Sequence, residues 1–542
     1  GNFNLPGGVF RQRGSGWRGH FGQLDMQIDN NTTERGQRSG GRAARVRRRS
    51  EEATQNFPAC ISRKIPVYEL LEEEALQQLE AQADWILKEV GIEVSDDQEA
   101  LSLLREAGAS VKGNRVRFEP GLARSLCASA PCQFQLHARD PARTVTIGGN
   151  HVVMSPASGP PMVTDMDRGR RKGSIDAFRD FVKLAESTSY LHHAGATLCE
   201  PEDIALNKRH LDMVYNLIRY SSKPFMGSSA APERAVDSIR MAELVFGEAF
   251  VKSHCVITTS LNINSPLTLD HITTGVMKIY ARANQGVLLS PFMMSGAMSP
   301  VTQPASIAQL HAECMAGIAL YQLFQKGAPI IYGNFLTTLD LKTGAPTFGT
   351  AEANLSALAV GQLSRRLGVP LRCGGHLTAS KIADGQAMQE SADSMTAGLL
   401  AGANFVLQAA GWLESGMTIG YEKFVMDIDR CGMMQRMLAG LILNENELAK
   451  DAYREAGPGQ TYLGTNHTQR NFESANYTPD LADTDPYEHW LDNGSQDIQQ
   501  RANRRWKEML AQFQAPAIDP GVDEALQEFV ARRKREMPDE WY

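Results

Sequence analysis

Residues 328–376 read APIIYGNF LTTLDLKTGAPTF GTAEANLSALAVGQLSRRLG VPLRCGGH. The first and last blocks are short apolar runs of the kind that a strand buried on both faces requires, and both reach glycine near their ends. A helical stretch lies between them. Strand, helix and strand in this order imply parallel pairing, because the chain must cross back through a helix before it can run parallel to itself.

The same rhythm extends outward from this unit, beginning near residue 175. Apolar runs recur at 193–199 (HAGATLC), 223–229 (KPFMGSS), 255–261 (CVITTSL), 286–292 (GVLLSPF) and 403–411 (ANFVLQAAG), separated by stretches such as PERAVDSIRMAELVFG and SIAQLHAECMAGIALYQLFQKG. Repeats of roughly 30 to 45 residues predict an α/β fold built as a (β/α)8 TIM barrel. Its eighth strand is not plain; MTIGYEKFVMD (417–427) is the candidate. An open doubly wound sheet is the alternative, disfavoured because no G-x-G-x-x-G follows an early strand.

In a barrel, function gathers at the C-terminal ends of the strands. Those ends carry Glu200, Asn262, Phe292, Tyr332-Gly333-Asn334-Phe335, Gly374-Gly375-His376 and Gln408 followed by Trp412. The set is rich in aromatic, amide and hydroxyl groups and poor in charge. Lys223 begins its strand and Lys381 lies past His376, so neither suits a Schiff base. Only His376 stands at a strand end, which leaves a hydrolytic metal without ligands, and no metal site is expected. His192 and His193 sit at a strand start and read as structural. Neither a phosphate-cradling G-x-x-x-x-G-K-[ST] nor a G-x-S-x-G elbow occurs. Phe292, Tyr332, Phe335 and Trp412 around a weakly charged mouth suit a cation lacking N–H donors, each desolvated ring contributing about 0.5–2 kcal/mol. Packing under loops is the other role open to these rings.

The chain has 542 residues, 42% of them apolar, enough for one large domain with additions. Without an apolar run of about 18 residues or a secretory leader pattern, a cytoplasmic protein that does not enter a membrane is expected. Eight scattered cysteines without a C-x-x-C read as core residues in a reducing compartment. Charge is uneven: the first 50 residues hold ten Arg and no Lys against Asp25, Asp29 and Glu34, a net +7, which leaves −14 on the other 492 of a chain whose total is −7. Residues 1–60 are therefore expected to form a basic Arg/Gly-rich arm. Such an arm can contact nucleic acid, but no nucleic-acid module follows it. An arm along its own acidic body or a partner subunit, in a homo-oligomer, is the favoured reading.

Residues 61–174 are expected to form a helical and short-strand cap. Leu70, Leu71, Leu76, Leu79, Ile86 and Leu87 recur at near-helical spacing up to Gly91, and Ser95 or Asp96 is placed to cap the next helix. The barrel is assigned to 175–515, including a polar, acidic wrapping loop after 465. A C-terminal helix completes the chain over 516–542.

The stretches 327–391 and 399–430 resemble the core of the trimethylamine methyltransferase family, and the similarity runs from about residue 65 to 515. The resemblance implies a barrel that demethylates an amine and passes the methyl group to Co(I) of a separate corrinoid protein, with no tightly bound cofactor of its own. Asp270-His271 lacks the spacing of a corrinoid-ligating histidine, in keeping with a corrinoid brought by another protein. The family's archaeal trimethylamine enzymes carry pyrrolysine within a stretch similar to GHLTASKIAD (375–384), which puts that position at or next to Leu377. The chain thus resembles the branch without pyrrolysine, whose substrates are quaternary amines such as glycine betaine, proline betaine or carnitine. On this basis His376 is expected to bind a substrate carboxylate or to shape the aromatic box. Asn334 and Gln408 would donate to the carboxylate, and Glu200 would balance the ammonium. Gly374 and Gly375 would allow close backbone approach. A folate-dependent methyltransferase of the same fold and a non-catalytic betaine-binding barrel are the alternatives.

Overall fold

The computed structural model of the chain describes residues 60–541. The expected basic arm lies, but for Cys60, outside them.

Seven strands form one parallel array: β1 (His151–Met154), β2 (Phe225–Met226), β3 (Ile257–Ile263), β4 (Gly286–Ser295), β5 (Ile330–Gly333), β6 (Leu371–Gly374) and β7 (Phe405–Leu407). They pair in the order β2-β3-β4-β5-β6-β7-β1, every pairing parallel. Six of the seven expected runs supply a strand. The seventh, 193–199, has no assigned strand but bridges the two edges of the array. His192 N–H donates to Met154 O (2.9 Å), Ala194 N–H to Pro224 O (2.8 Å) and Met226 N–H to Gly195 O (3.1 Å).

The segment 417–427 is not the missing member. Thr418–Gly420 pairs instead with Trp412–Leu413 and Met162–Thr164 in a separate sheet, and Tyr421 already begins a helix. The array takes β1 from residues 151–154, at the end of an antiparallel hairpin series (133–136, 145–148). That hairpin plugs the strand starts: Leu136, Val145 and Ile147 pack with Val153, Met226, Leu288, Ile331 and Phe405 in a separate inner core.

Helices fall between the strands: α1 (Ile175–Glu186), α2 (Arg209–Tyr220), α3 (Pro232–Phe246), α4 (His271–Arg282), α5 (Gln303–Phe324), α6 (Ala351–Leu367), α7 (Gly385–Leu400) and α8 (Tyr421–Leu438). Their starts are written in short side chains. Asp270, Thr350 and Asp384 each accept the N–H three residues on, at 2.7–3.3 Å, so Asp270 is a helix cap rather than half of a ligand pair. Helix α5 is buried on almost every face, because the N-terminal helices Glu73–Trp85 and Leu122–Cys127 pack over the side that faces away from the sheet. Helix Gln98–Glu106 is capped by Asp97 (Ala100 N–H, 3.0 Å), one or two residues beyond the expected Ser95 or Asp96. Asp97 is also held by Lys278 at 2.6 Å, a tertiary contact that sequence spacing does not display. Among the described residues no helix is long and apolar enough to cross a membrane.

Candidate active site

Parallel register decides which side chains meet. Leu288, Ile331 and Phe405 face the inner core, so residues in step with them face inward too. Gly333 pairs with Arg372, and Arg372 with Phe405, which turns the Arg372 side chain into the interior at the strand ends. Tyr332 is one residue out of step. It is fully buried among the helices, its hydroxyl 3.1 Å from His311 Nδ1 on α5, and burial raises its phenol far above the ordinary range. Strand alternation thus separates Tyr332 from the other expected aromatics.

Those others do come together. Phe292 and Phe335 are neighbours across the extension of β4, with ring centroids 4.9 Å apart. Trp412 meets the Phe335 ring edge-on at 6.2 Å, and Phe348 completes the group at 5.8 Å from Trp412 and 6.3 Å from Phe335. Gly416 makes this possible, since a Cβ there would lie 2.5 Å from the indole. The indole Nε1 is buried without a hydrogen-bond partner among the described residues.

Arg372 lies against this cluster and was not expected. Its guanidinium stacks 4.5 Å over the Phe335 ring, donates to Asn334 O (2.8 Å) and to Gln408 Oε1 (2.7 Å), and is 1% exposed. Its Nε has no partner, and burial lowers its pKa to about 10. The mouth is therefore not devoid of charge: it holds a dry cation with donor capacity to spare. Asn334 and Gln408 are both buried here, but they serve as acceptors for Arg372, Asn334 through its backbone carbonyl. Gln408 is held in the left-handed region (φ 59°), a strained conformation for a non-glycine residue.

His376 is fully buried. Its Nδ1 lies 2.7 Å from Ala409 O, so that nitrogen carries the proton and donates to the carbonyl. Nε2 is left unpaired. Behind the ring, Lys423 Nζ contacts both Asp427 oxygens at 2.5 and 2.6 Å, and Asp427 also accepts Gly411 N–H at 2.8 Å. Burial, with the Lys423 charge, pushes the imidazole well below its ordinary range and keeps it neutral. Burial likewise lifts the Asp427 carboxyl to about 6 despite its lysine partner.

Leu377 is buried beside His376. Its N–H donates to Ser394 Oγ (3.1 Å) and Gly375 O (2.9 Å), and Glu390 clamps the following turn through Thr378 Oγ1 (2.6 Å) and Ala379 N–H (2.8 Å). Its side chain fills the space where Gly374 lacks a Cβ, while a Cβ on Gly375 would run into Ala409 Cα (2.7 Å) and Gln408 O (2.8 Å). Both glycines are therefore needed for close packing. Glu200 is placed elsewhere: it pairs with Arg209 (3.5 Å), burial raises its pKa, and no contact joins it to the rings.

The strand ends thus bring four aromatic rings and one buried guanidinium together. The family description for trimethylamine methyltransferases (MTTB) matches residues 38–538, and the chain belongs to that family. The match extends beyond 65–515 at both ends and takes in part of the basic segment. Glycine betaine methyltransferase of Desulfitobacterium hafniense strain Y51 is 37% identical over 477 residues, covering 88% of this chain and 99% of that one. Trimethylamine methyltransferase MttB of D. hafniense strain DSM 10664 / DCB-2 is 25% identical, covering 83% and 91%. The crystal structure of Methanosarcina barkeri monomethylamine methyltransferase covers 82% of this chain and 96% of its own at 11% identity, with a TM-score of 0.40.

Proposed function

We propose that the chain demethylates a carboxylate-bearing quaternary amine, glycine betaine foremost, with a Co(I) corrinoid on a separate protein as methyl acceptor. The observation that carries this reading is the pairing of a four-ring cluster with the buried guanidinium of Arg372, whose Nε is left without a partner. Phe292, Phe335, Phe348 and Trp412 take the trimethylammonium, and Arg372 takes the carboxylate through its free N–H positions. His376 shapes the wall behind Leu377, the position that corresponds to pyrrolysine in the archaeal enzymes.

A quaternary nitrogen is already a cationic leaving group, so no acid is needed at Leu377. The acceptor supplies the nucleophile: its electron pair forms the new bond to the methyl carbon while the C–N pair stays on nitrogen, giving a neutral tertiary amine. The chain's own part is to orient one methyl group outward, exclude water and hold the carboxylate. The donor set fits an acceptor that is delivered rather than held, because the imidazole nearest the site, His376, is sealed behind the wall with Nδ1 engaged.

The same reading takes the parallel array as a closed (β/α)8 barrel, with residues 192–195 as its second strand. The hydrogen bonds from this segment to β1 and β2 support it. Counting β1, the barrel begins at 151 rather than 175, leaving 61–150 as the cap. All eight cysteines are free, which supports a cytoplasmic setting.

The test is incubation of the full chain with glycine betaine and Co(I) cobalamin, following the Co(I) absorption and dimethylglycine by NMR. Loss of Co(I) together with dimethylglycine formation is expected, and trimethylamine should be inert. Betaine binding without transfer, or transfer to a folate instead, would defeat the proposal.

A further inference from the structure

A concavity lies at the opposite ends of the same strands. A cavity of about 690 Å³ opens where β1, β6 and β7 begin, lined in part by Asn150, Leu371 and Asn404. Arg63, Lys64 and Arg365 line it too, and among the described residues no acidic side chain does. This contrasts with the net −14 carried by residues 51–542.

Arg63 is rigidly presented. It follows the strand Ile61–Ser62, which pairs antiparallel with β1, and its own N–H donates to Asn150 O at 2.8 Å. Only 6% of the residue is exposed, it forms no ion pair among the described residues, and its Nη1 is buried without a partner. Arg365 differs: it holds the Glu69 carboxylate with one nitrogen at 2.9 and 3.0 Å and donates with the other to Ala401 O. Gly402 lets the two guanidinium groups come together, since a Cβ there would lie 2.7 Å from Arg365 Nη1 and 3.7 Å from Arg63 Nη2. Neighbouring cations in a half-dry cavity repel unless an anion lies between them. Glu69 offsets Arg365, which leaves Arg63 and Lys64 as two charges uncompensated among the described residues. The remaining wall includes Ile65, Val67, Val369 and Pro370, which are apolar.

We propose that this cavity binds a phosphate monoester, its dianionic head between Arg63, Lys64 and Arg365 and its organic body against the apolar wall. Guanidinium forks match oxyanion geometry, and two negative charges balance the two uncompensated cations where one carboxylate would not. The volume falls within the range of about 300–1,000 Å³ usual for small-molecule sites. The proposal is independent of the methyl-transfer site.

Calorimetric titration of the full chain with inorganic phosphate, phenyl phosphate and benzoate tests it at about pH 7, where a phosphate monoester carries close to two charges. Both phosphates should bind, phenyl phosphate the tighter, and benzoate about tenfold or more weaker. Affinity should fall below about pH 6 as the phosphate gains its second proton. Arg63→Met should cut phosphate affinity about tenfold. Lys64→Gln, at an exposed position that the fold does not depend on, should cut it severalfold. Absence of saturable phosphate binding, equal binding of benzoate, or affinity unchanged in Lys64→Gln and in a folded Arg63→Met would each overturn the proposal.

Discussion

Arg372 and the aromatic cluster divide the work of recognition between two chemistries. A charge-assisted hydrogen bond contributes about 1.5–3 kcal/mol, so Arg372→Met should raise the KM for glycine betaine about 10- to 100-fold. Tetramethylammonium, which has no carboxylate, should bind the variant as it binds the parent; calorimetry with both ligands checks this. The rings act differently. They stabilise a positive charge that fades as the C–N bond breaks, so they favour the bound substrate over the transition state. Trp412→Ala should therefore raise KM about tenfold and raise kcat rather than lower it, which steady-state kinetics will show. Arg372 was missed, although residues 369–373, VPLRC, set one charge inside an apolar run. Its partner facing was not legible, because Tyr332 and Phe335 can be told apart only once the register with Leu371 and Phe292 is known.

At the scale of elements, α8 supports the site from behind through Lys423 and Asp427, an i, i+4 pair with both side chains fully buried. Removing one member leaves the other charge unpaired in the dry interior. Lys423→Met should thus cost about 3–5 kcal/mol of stability, while Lys423→Met combined with Asp427→Asn should cost much less, as urea unfolding can measure. The spacing was present in YEKFVMDIDR, yet a pair at that spacing is usually a solvated helix face, and only the packing of α8 makes it internal. Six of the seven apolar runs between helical stretches supply strands, and 193–199 does not. The run at 151–154 escaped because it follows antiparallel hairpins and shares their alternating pattern, and its allegiance is fixed by pairing with β7 rather than by its own residues.

Across the molecule, four buried histidines among the described residues, His192, His193, His311 and His376, are held neutral. Burial holds the first three at a pKa of about 3 and His376 well below its ordinary value. Each regains a pKa near 6.5 when the chain unfolds, so below about pH 6.5 the unfolded state binds more protons. The histidine contribution to stability should accordingly fall as pH drops from about 6.5, by up to about 1.4 kcal/mol per pH unit for each histidine, and be level above it. Thermal unfolding between about pH 4 and 8 tests this sign. The overall α/β alternation was readable because the helix–strand rhythm repeats along most of the chain. The wrapping of α5 was not, since its all-round apolarity has meaning only against the N-terminal helices that cover it.

The four rings also bear on turnover. Once a methyl group has left, the product's nitrogen is neutral and the attraction that held the substrate disappears. Rebinding as a protonated amine would press an N–H against carbon faces that offer it no lone pair. The box thus loosens its hold as the reaction completes, and dimethylglycine should inhibit only weakly, leaving the site free for the next substrate without a moving gate.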